Sequence, residues 1–132
     1  MVHVRGKVAL VSGAAQGIGA ACARLLAAQG ARLLVADIDL AGARAVADDI
    51  GREGGIAEAL ALDVTREADW RAAVAAAIDH HGGLDVLVNN AGIALVQALV
   101  DTSLEQWRQV HAVNLDGVFL GTREAVRAMR PA

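Results

Sequence analysis

The chain has 132 residues, 55% of them hydrophobic and 20% charged, a balance that excludes a disordered chain and suits one compact domain over 1–132. A formal net charge of −3, with Lys and Arg spread along the chain, excludes the clustered positive footprint that binds nucleic acid or anionic membrane. A single cysteine, Cys22, can form no internal disulfide, and there is neither an apolar signal core nor a spanning apolar run, so the expected setting is the cytoplasm.

In chain order, the β-branched run Val8–Ser12 reads as a strand and leads through Ser12-Gly-Ala-Ala-Gln-Gly-Ile-Gly19 into a helix over 17–29. The apolar stripe of that helix is Ile18, Cys22, Leu25 and Leu26. Arg32–Asp37 is the second strand, and the helix over 40–52, with Asp39 placed to cap it, carries Leu40, Ala43, Ala47 and Ile50 inward. Ile56–Ala61 is the third strand. Thr65 is the expected cap of a helix over 66–80 whose inward residues are Trp70, Val74, Ala77 and Ile78. Leu84–Val88 is nearly continuously apolar, as in a strand covered by helices on both faces. Ser103-Leu-Glu-Gln106 has the form of a capping box that opens a short helix, and the last helix runs over 112–129. This alternation predicts an α/β fold, a Rossmann-like doubly wound parallel sheet, truncated after its fourth strand and the helices that follow. No internal repeat or low-complexity linker interrupts it, and the only proline is Pro131.

The glycine-rich run lies between the first strand and the first helix, where a phosphate-binding turn belongs. Glycines there permit positive φ and close backbone approach, and the helix start offers N–H groups and a dipole to a pyrophosphate. The spacing Gly-x-x-x-Gly-x-Gly departs from the common dinucleotide pattern, so the motif alone leaves a plain glycine-rich connector open. Asp37 adds weight by ending the second strand at the distance where a carboxylate accepts from adenosine ribose hydroxyls, although a strand-end aspartate is the alternative. A carboxylate here repels a 2′-phosphate, and neither Gln16 nor Ile38 supplies a basic partner for one, so the expected cofactor is NAD rather than NADP.

These residues resemble the short-chain dehydrogenase/reductase family. The matching pieces are Ser12–Gly19, the pair Asp63-Val64 after the third strand, Asn89-Asn-Ala-Gly92 after the fourth, and Asn114 within Val113-Asn-Leu115. The resemblance covers essentially the whole chain but about the first half of a family domain of roughly 250 residues. It implies that Ser12, Gly13, Gln16, Gly17, Ile18 and Gly19 form the cofactor turn, and that Asp37 and Ile38 face the adenosine ribose. It also implies that Asp63 and Val64 contact adenine, that Asn89, Ala91 and Gly92 line the cleft, and that Asn114 holds a water in a proton relay. Turn formation at Asp63 and backbone satisfaction by Asn89-Asn90 are the structural alternatives.

The family reaction, hydride transfer between nicotinamide and an alcohol or ketone, also needs a serine, a tyrosine and a lysine four positions beyond it. The chain has no tyrosine, and its only lysine, Lys7, precedes the first strand. It is therefore expected to carry the cofactor-binding half of an oxidoreductase and to be inactive alone; a non-catalytic NAD-binding or interaction module and an inactive fragment are the other readings. An open edge on Leu84–Val88 and an apolar face around Leu115, Val118, Phe119, Val126 and Met129 predict a homo-oligomer or pairing with a complementing segment. His80 and His81 read as helix-end imidazoles complementing the dipole, with no metal expected, and Cys22, Trp70 and Trp107 as packing residues.

Overall fold

The computed structural model of the chain describes residues 3–129, so Pro131 lies outside the described residues. The elements are β1 (Val8–Val11), α1 (Gly17–Ala28), β2 (Arg32–Asp37), α2 (Leu40–Arg52), β3 (Ile56–Ala61), α3 (Glu67–His81), β4 (Val86–Val88), α4 (Leu104–His111) and α5 (Gly117–Met129). A 3₁₀ turn at Leu99–Asp101 precedes α4, and a π-helical stretch, Ala112–Asp116, joins α4 to α5. All strand pairs are parallel, in the order β3-β2-β1-β4. This is the α/β, Rossmann-like sheet that the alternation predicts.

Successive strand residues point to opposite faces, and each face has its own helices. Ala9, Val11, Leu33 and Val35 pack against Ala20, Ala23 and Ala27 of α1 and Ala43, Val46 and Ile50 of α2. Val8, Leu10, Leu34 and Ala36 pack against Trp70, Ala73, Val74 and Ala77 of α3 and Ala125 of α5. Leu10, Leu33 and Leu34 are completely buried, each contributing about 1.5–3 kcal/mol of hydrophobic stabilisation. Among the described residues no helix is long and apolar enough to cross a membrane.

The inward faces differ from the expected ones on two helices. On α1, Ile18 is 81% and Leu25 64% exposed, whereas Gly19, Ala20, Ala23 and Ala27 are buried. The stripe of small residues lets the helix approach the sheet closely, and a Cβ on Gly19 would come within 2.4 Å of the Gly13 carbonyl oxygen. On α3 the buried face is Trp70, Ala73, Val74 and Ala77, with Ile78 turned to solvent. Thr65 does not cap α3: the helix starts after Arg66, without a side-chain cap, and Thr65 instead donates to Asp63.

The fourth strand is shorter than its apolar run. Leu84 is buried ahead of it, and Asp85 replaces the first ladder contacts by donating its N–H to the Val8 carbonyl while its carboxylate accepts the Val8 N–H at 2.9 Å. The helix expected over 112–129 becomes regular only at Gly117, after the π-helical stretch. Asp39 caps α2 by accepting the Gly42 N–H at 3.0 Å, and Ser103 and Gln106 form the capping box of α4. Trp107 is half exposed and stacks on His111 with ring centroids 4.3 Å apart, so it is no core residue.

Candidate functional site

A cleft of about 480 Å³ opens beyond the carboxyl ends of the strands, within the range of about 300–1,000 Å³ typical of small-molecule sites. It lies over the strand ends of a doubly wound sheet, where such folds bind ligands. Its floor is the turn after β1, through Gly13, Gln16, Gly17 and Ile18; Asp37 and Ile38 after β2 and Leu62, Asp63 and Val64 after β3 form one wall. Asn90, Ala91, Gly92 and Ile93 after β4 form the other, closed by Gln109 and Val113.

The turn needs glycine at two points for separate reasons. Gly13 has φ 63°, and a side chain there would also strike Ala91, with Cβ 2.8 Å from its Cα. Gly17 has φ 59° with open space beside it, so its backbone is bare toward the cleft. No side chain caps α1 at Gln16, which leaves the N–H groups of its first turn available at the cleft floor.

Asp37 couples the second strand to this turn. One carboxylate oxygen accepts the Ala15 N–H at 3.0 Å and the other accepts the Asp39 N–H at 2.9 Å. Asp63 is held comparably: one oxygen accepts from the Thr65 N–H at 3.0 Å and from its hydroxyl at 2.7 Å, while the Asp63 N–H donates to Asp69 at 2.9 Å. Among the described residues no Lys or Arg lines the cleft, and its charged side chains are Asp37 and Asp63.

Four residues expected at the site stand behind the cleft surface. Ser12 is buried, and its hydroxyl oxygen accepts the N–H groups of Asn90 and Ala91, each at 3.1 Å, tying the end of β1 to the loop after β4. Gly19 is buried under the turn, and Asn89 points away, its amide donating to the Thr122 hydroxyl at 3.1 Å. Asn114, in the π-helical stretch, accepts the Ile93 N–H at 2.9 Å and donates to the Ile93 carbonyl at 2.8 Å, so its side chain holds the far wall. A π insertion inside a helix is a frequent mark of a functional site.

Asn90 was not among the expected site residues, yet it lines the cleft and donates from its side-chain amide to the Gly13 carbonyl at 3.0 Å. Its place within Asn89-Asn-Ala-Gly92 was the available signal. Leu62 and Ile93 line the cleft with no sequence mark beyond adjacency to Asp63 and Gly92. A second depression of about 380 Å³ adjoins the first at Ile93 and Gln109; Ala94, Leu95 and Val110 give it an apolar wall, with Glu105 and Gln106 at its rim.

A family model described as short chain dehydrogenase matches residues 7–132. The chain is 46% identical over 136 aligned positions to the trans-4-hydroxycyclohexanecarboxylate dehydrogenase of Sinomonas cyclohexanicum, covering 98% of this chain and 52% of that protein. It is 46% identical over 127 positions to the 3-alpha-(or 20-beta)-hydroxysteroid dehydrogenase of Mycobacterium tuberculosis, covering 96% and 48%. With the cyclopentanol dehydrogenase of Comamonas testosteroni the identity is 44% over 133 positions, covering 100% and 53%. The crystal structure of a short-chain type dehydrogenase/reductase from Mycobacterium marinum superposes with a TM-score of 0.93 at 38% identity, covering 96% of this chain and 50% of that one. The chain thus spans about half the length of the relatives it matches.

Proposed function

The chain belongs to the short-chain dehydrogenase family, and from that premise we propose that its cleft holds NAD as the cofactor-binding half of an oxidoreductase acting on an alcohol or ketone. The observation that carries this reading is the union, in one cleft, of a bare glycine turn at an uncapped helix start with two acidic strand ends, Asp37 and Asp63. Such a helix start suits a pyrophosphate, and a strand-end carboxylate suits ribose hydroxyls. Ile18 and Ile38, large apolar side chains left exposed at the cleft mouth, suit the faces of an adenine. Bound NAD supplies a hydride acceptor at its nicotinamide.

The chain's own residues bind and orient. Gly13 and Gly17 give backbone access, Asp37 selects a ribose without a 2′-phosphate, and Asp63 and Val64 meet the adenine edge. Ser12, Asn90 and Asn114 hold the Ala91–Ile93 wall on which the nicotinamide end rests. The relatives named above are dehydrogenases of ring alcohols, and the apolar depression beside Ile93 offers a hydrocarbon ring a surface next to that end. A cyclic alcohol or ketone is therefore the proposed substrate class of the complete protein.

A second reading, a module that holds NAD without turnover, is favoured by composition. No tyrosine is present to act as acid and base, a role typically worth about 10²–10⁴-fold in rate, and Lys7 is the only lysine. Calorimetric titration tests what both readings share. NAD is expected to bind, and NADP roughly tenfold or more weakly, a difference of about 1.4 kcal/mol. Equal affinities would overturn the assignment to Asp37, and no binding of either to folded protein would overturn both readings.

A further inference from the structure

Trp70 is the largest completely buried side chain among the described residues, and it does not line the cleft. Packing alone would be met by any large apolar residue, but an indole carries an N–H that needs a partner when buried. That N–H donates to the carbonyl of Val64, in the cleft wall, at 2.9 Å. The far edge of the ring is fixed by α5, where a Cβ on Gly121 would lie 2.6 Å from the indole carbons. One residue earlier, Asp69 accepts the Asp63 N–H at 2.9 Å. Two adjacent residues on the first turns of α3 therefore hold the two ends of the Asp63–Val64 backbone.

What this leaves free has a definite chemistry. Thr65 occupies one carboxylate oxygen of Asp63, and among the described residues the other oxygen and the Val64 N–H have no partner. An acceptor beside a donor complements the edge of an adenine, with its 6-amino donor and N1 acceptor. It mismatches hypoxanthine, which presents a 6-oxo acceptor and an N1–H donor.

We propose that Trp70 and Asp69 are positioning residues for base selection, setting the Asp63–Val64 turn so that the cleft distinguishes adenine from a 6-oxopurine. This rests on the NAD reading above. The test is calorimetric titration of the full chain with NAD and with nicotinamide hypoxanthine dinucleotide, for wild type, Trp70→Phe and Val74→Ala. Val74 lies on the same buried face of α3 and makes no bond to the turn, so its variant controls for loss of core packing.

Wild type is expected to prefer NAD. Trp70→Phe is expected to lose about 2- to 12-fold of that preference, the span of one net hydrogen bond, while Val74→Ala keeps it. Trp70→Phe retaining the wild-type ratio, even with both affinities lowered, would overturn the proposal, as would an equal loss in Val74→Ala. Should Trp70→Phe not fold, Asp69→Ala empties no core and is read by the same two outcomes. A wild type that binds neither dinucleotide defeats the NAD reading itself, and a wild type that binds both equally defeats base selection alone.

Discussion

The two sides of the sheet's central strand are finished to different degrees. Toward β2, every residue of β1 and four of the six in β2 are buried, with α1 and α2 closing over one face of the strands and α3 and α5 over the other. Toward β4, the strand is only half buried along its length, and the π-helical stretch turns Leu115, and α5 turns Val118, Phe119, Val126 and Met129, to solvent. The same helix is seated tightly on its inner side, where Gly117 meets Val64, Gly121 meets Trp70, and the buried Glu124 pairs with Arg127 at 3.0 Å. Its outer apolar face is therefore no sign of loose packing. The cleft draws its floor and one wall from the ends of β1, β2 and β3 and its other wall from the loop after β4, while no described residue of α5 lines it, so the outer apolar face of α5 can be altered without touching the cleft.

The largest effect that can break this comparison is in the core. Leu33→Ala is expected to cost about 2–5 kcal/mol in denaturant unfolding, whereas Phe119→Ser on the outer face of α5 costs no more than about 0.5 kcal/mol. Equal losses would mean that the two sides are equally finished. Next is Gly13→Ala, which meets both a positive φ and the Ala91 backbone. A cost of about 1–3 kcal/mol is expected, together with loss of NAD binding as the Ala91 wall is pushed aside. Unchanged affinity would show that the turn and that wall are independent.

The open side should reveal itself in association. Sedimentation at tens of micromolar, a range in which exposed apolar surface drives aggregation, is expected to show self-association that Phe119→Glu weakens by roughly tenfold, about 1.4 kcal/mol. A well-behaved wild-type monomer would contradict it. The smallest effect concerns β3, the other edge strand. Its Glu58 ties it to the end of α3 through His80 at 2.9 Å and His81 at 3.0 Å, rather than the histidines merely complementing a helix dipole. The hydrogen bond that Glu58 accepts from His80, and then the charge of Glu58, raise the His80 pKa above the ordinary value of about 6.5. Because the folded value is the higher, the stabilisation is fully present below about pH 6.5 and is lost as pH rises through the raised value. The difference in denaturation midpoint between wild type and His80→Ala should accordingly be larger at pH 6 than at pH 9.

Element order, parallel class and the cleft's acidic and glycine positions were legible because they depend on local periodicity and on short motifs. The α1 face was not. Leucine and isoleucine at helical spacing suggest burial, but the sheet is approached through Gly19, Ala20, Ala23 and Ala27, whose small size is informative only once the distance between layers is known. Ser12, Asn89 and Asn114 sit in the expected motifs yet point behind the cleft surface, since their partners are 33 to 79 residues away for the first two and 21 for the last. Trp70 read as a core residue, and it is one; its hold on the Val64 carbonyl is a matter of which atom faces the turn, which no spacing discloses.

Amide hydrogen exchange with and without NAD tests most directly whether NAD occupies the cleft over the strand ends rather than the exposed face of α5. Slowed exchange is expected at Gly17, Ile18, Ile38, Val64 and Gly92, with the outer face of α5 unchanged. Unaltered exchange at those amides in protein saturated with NAD, or protection confined to α5, would contradict it.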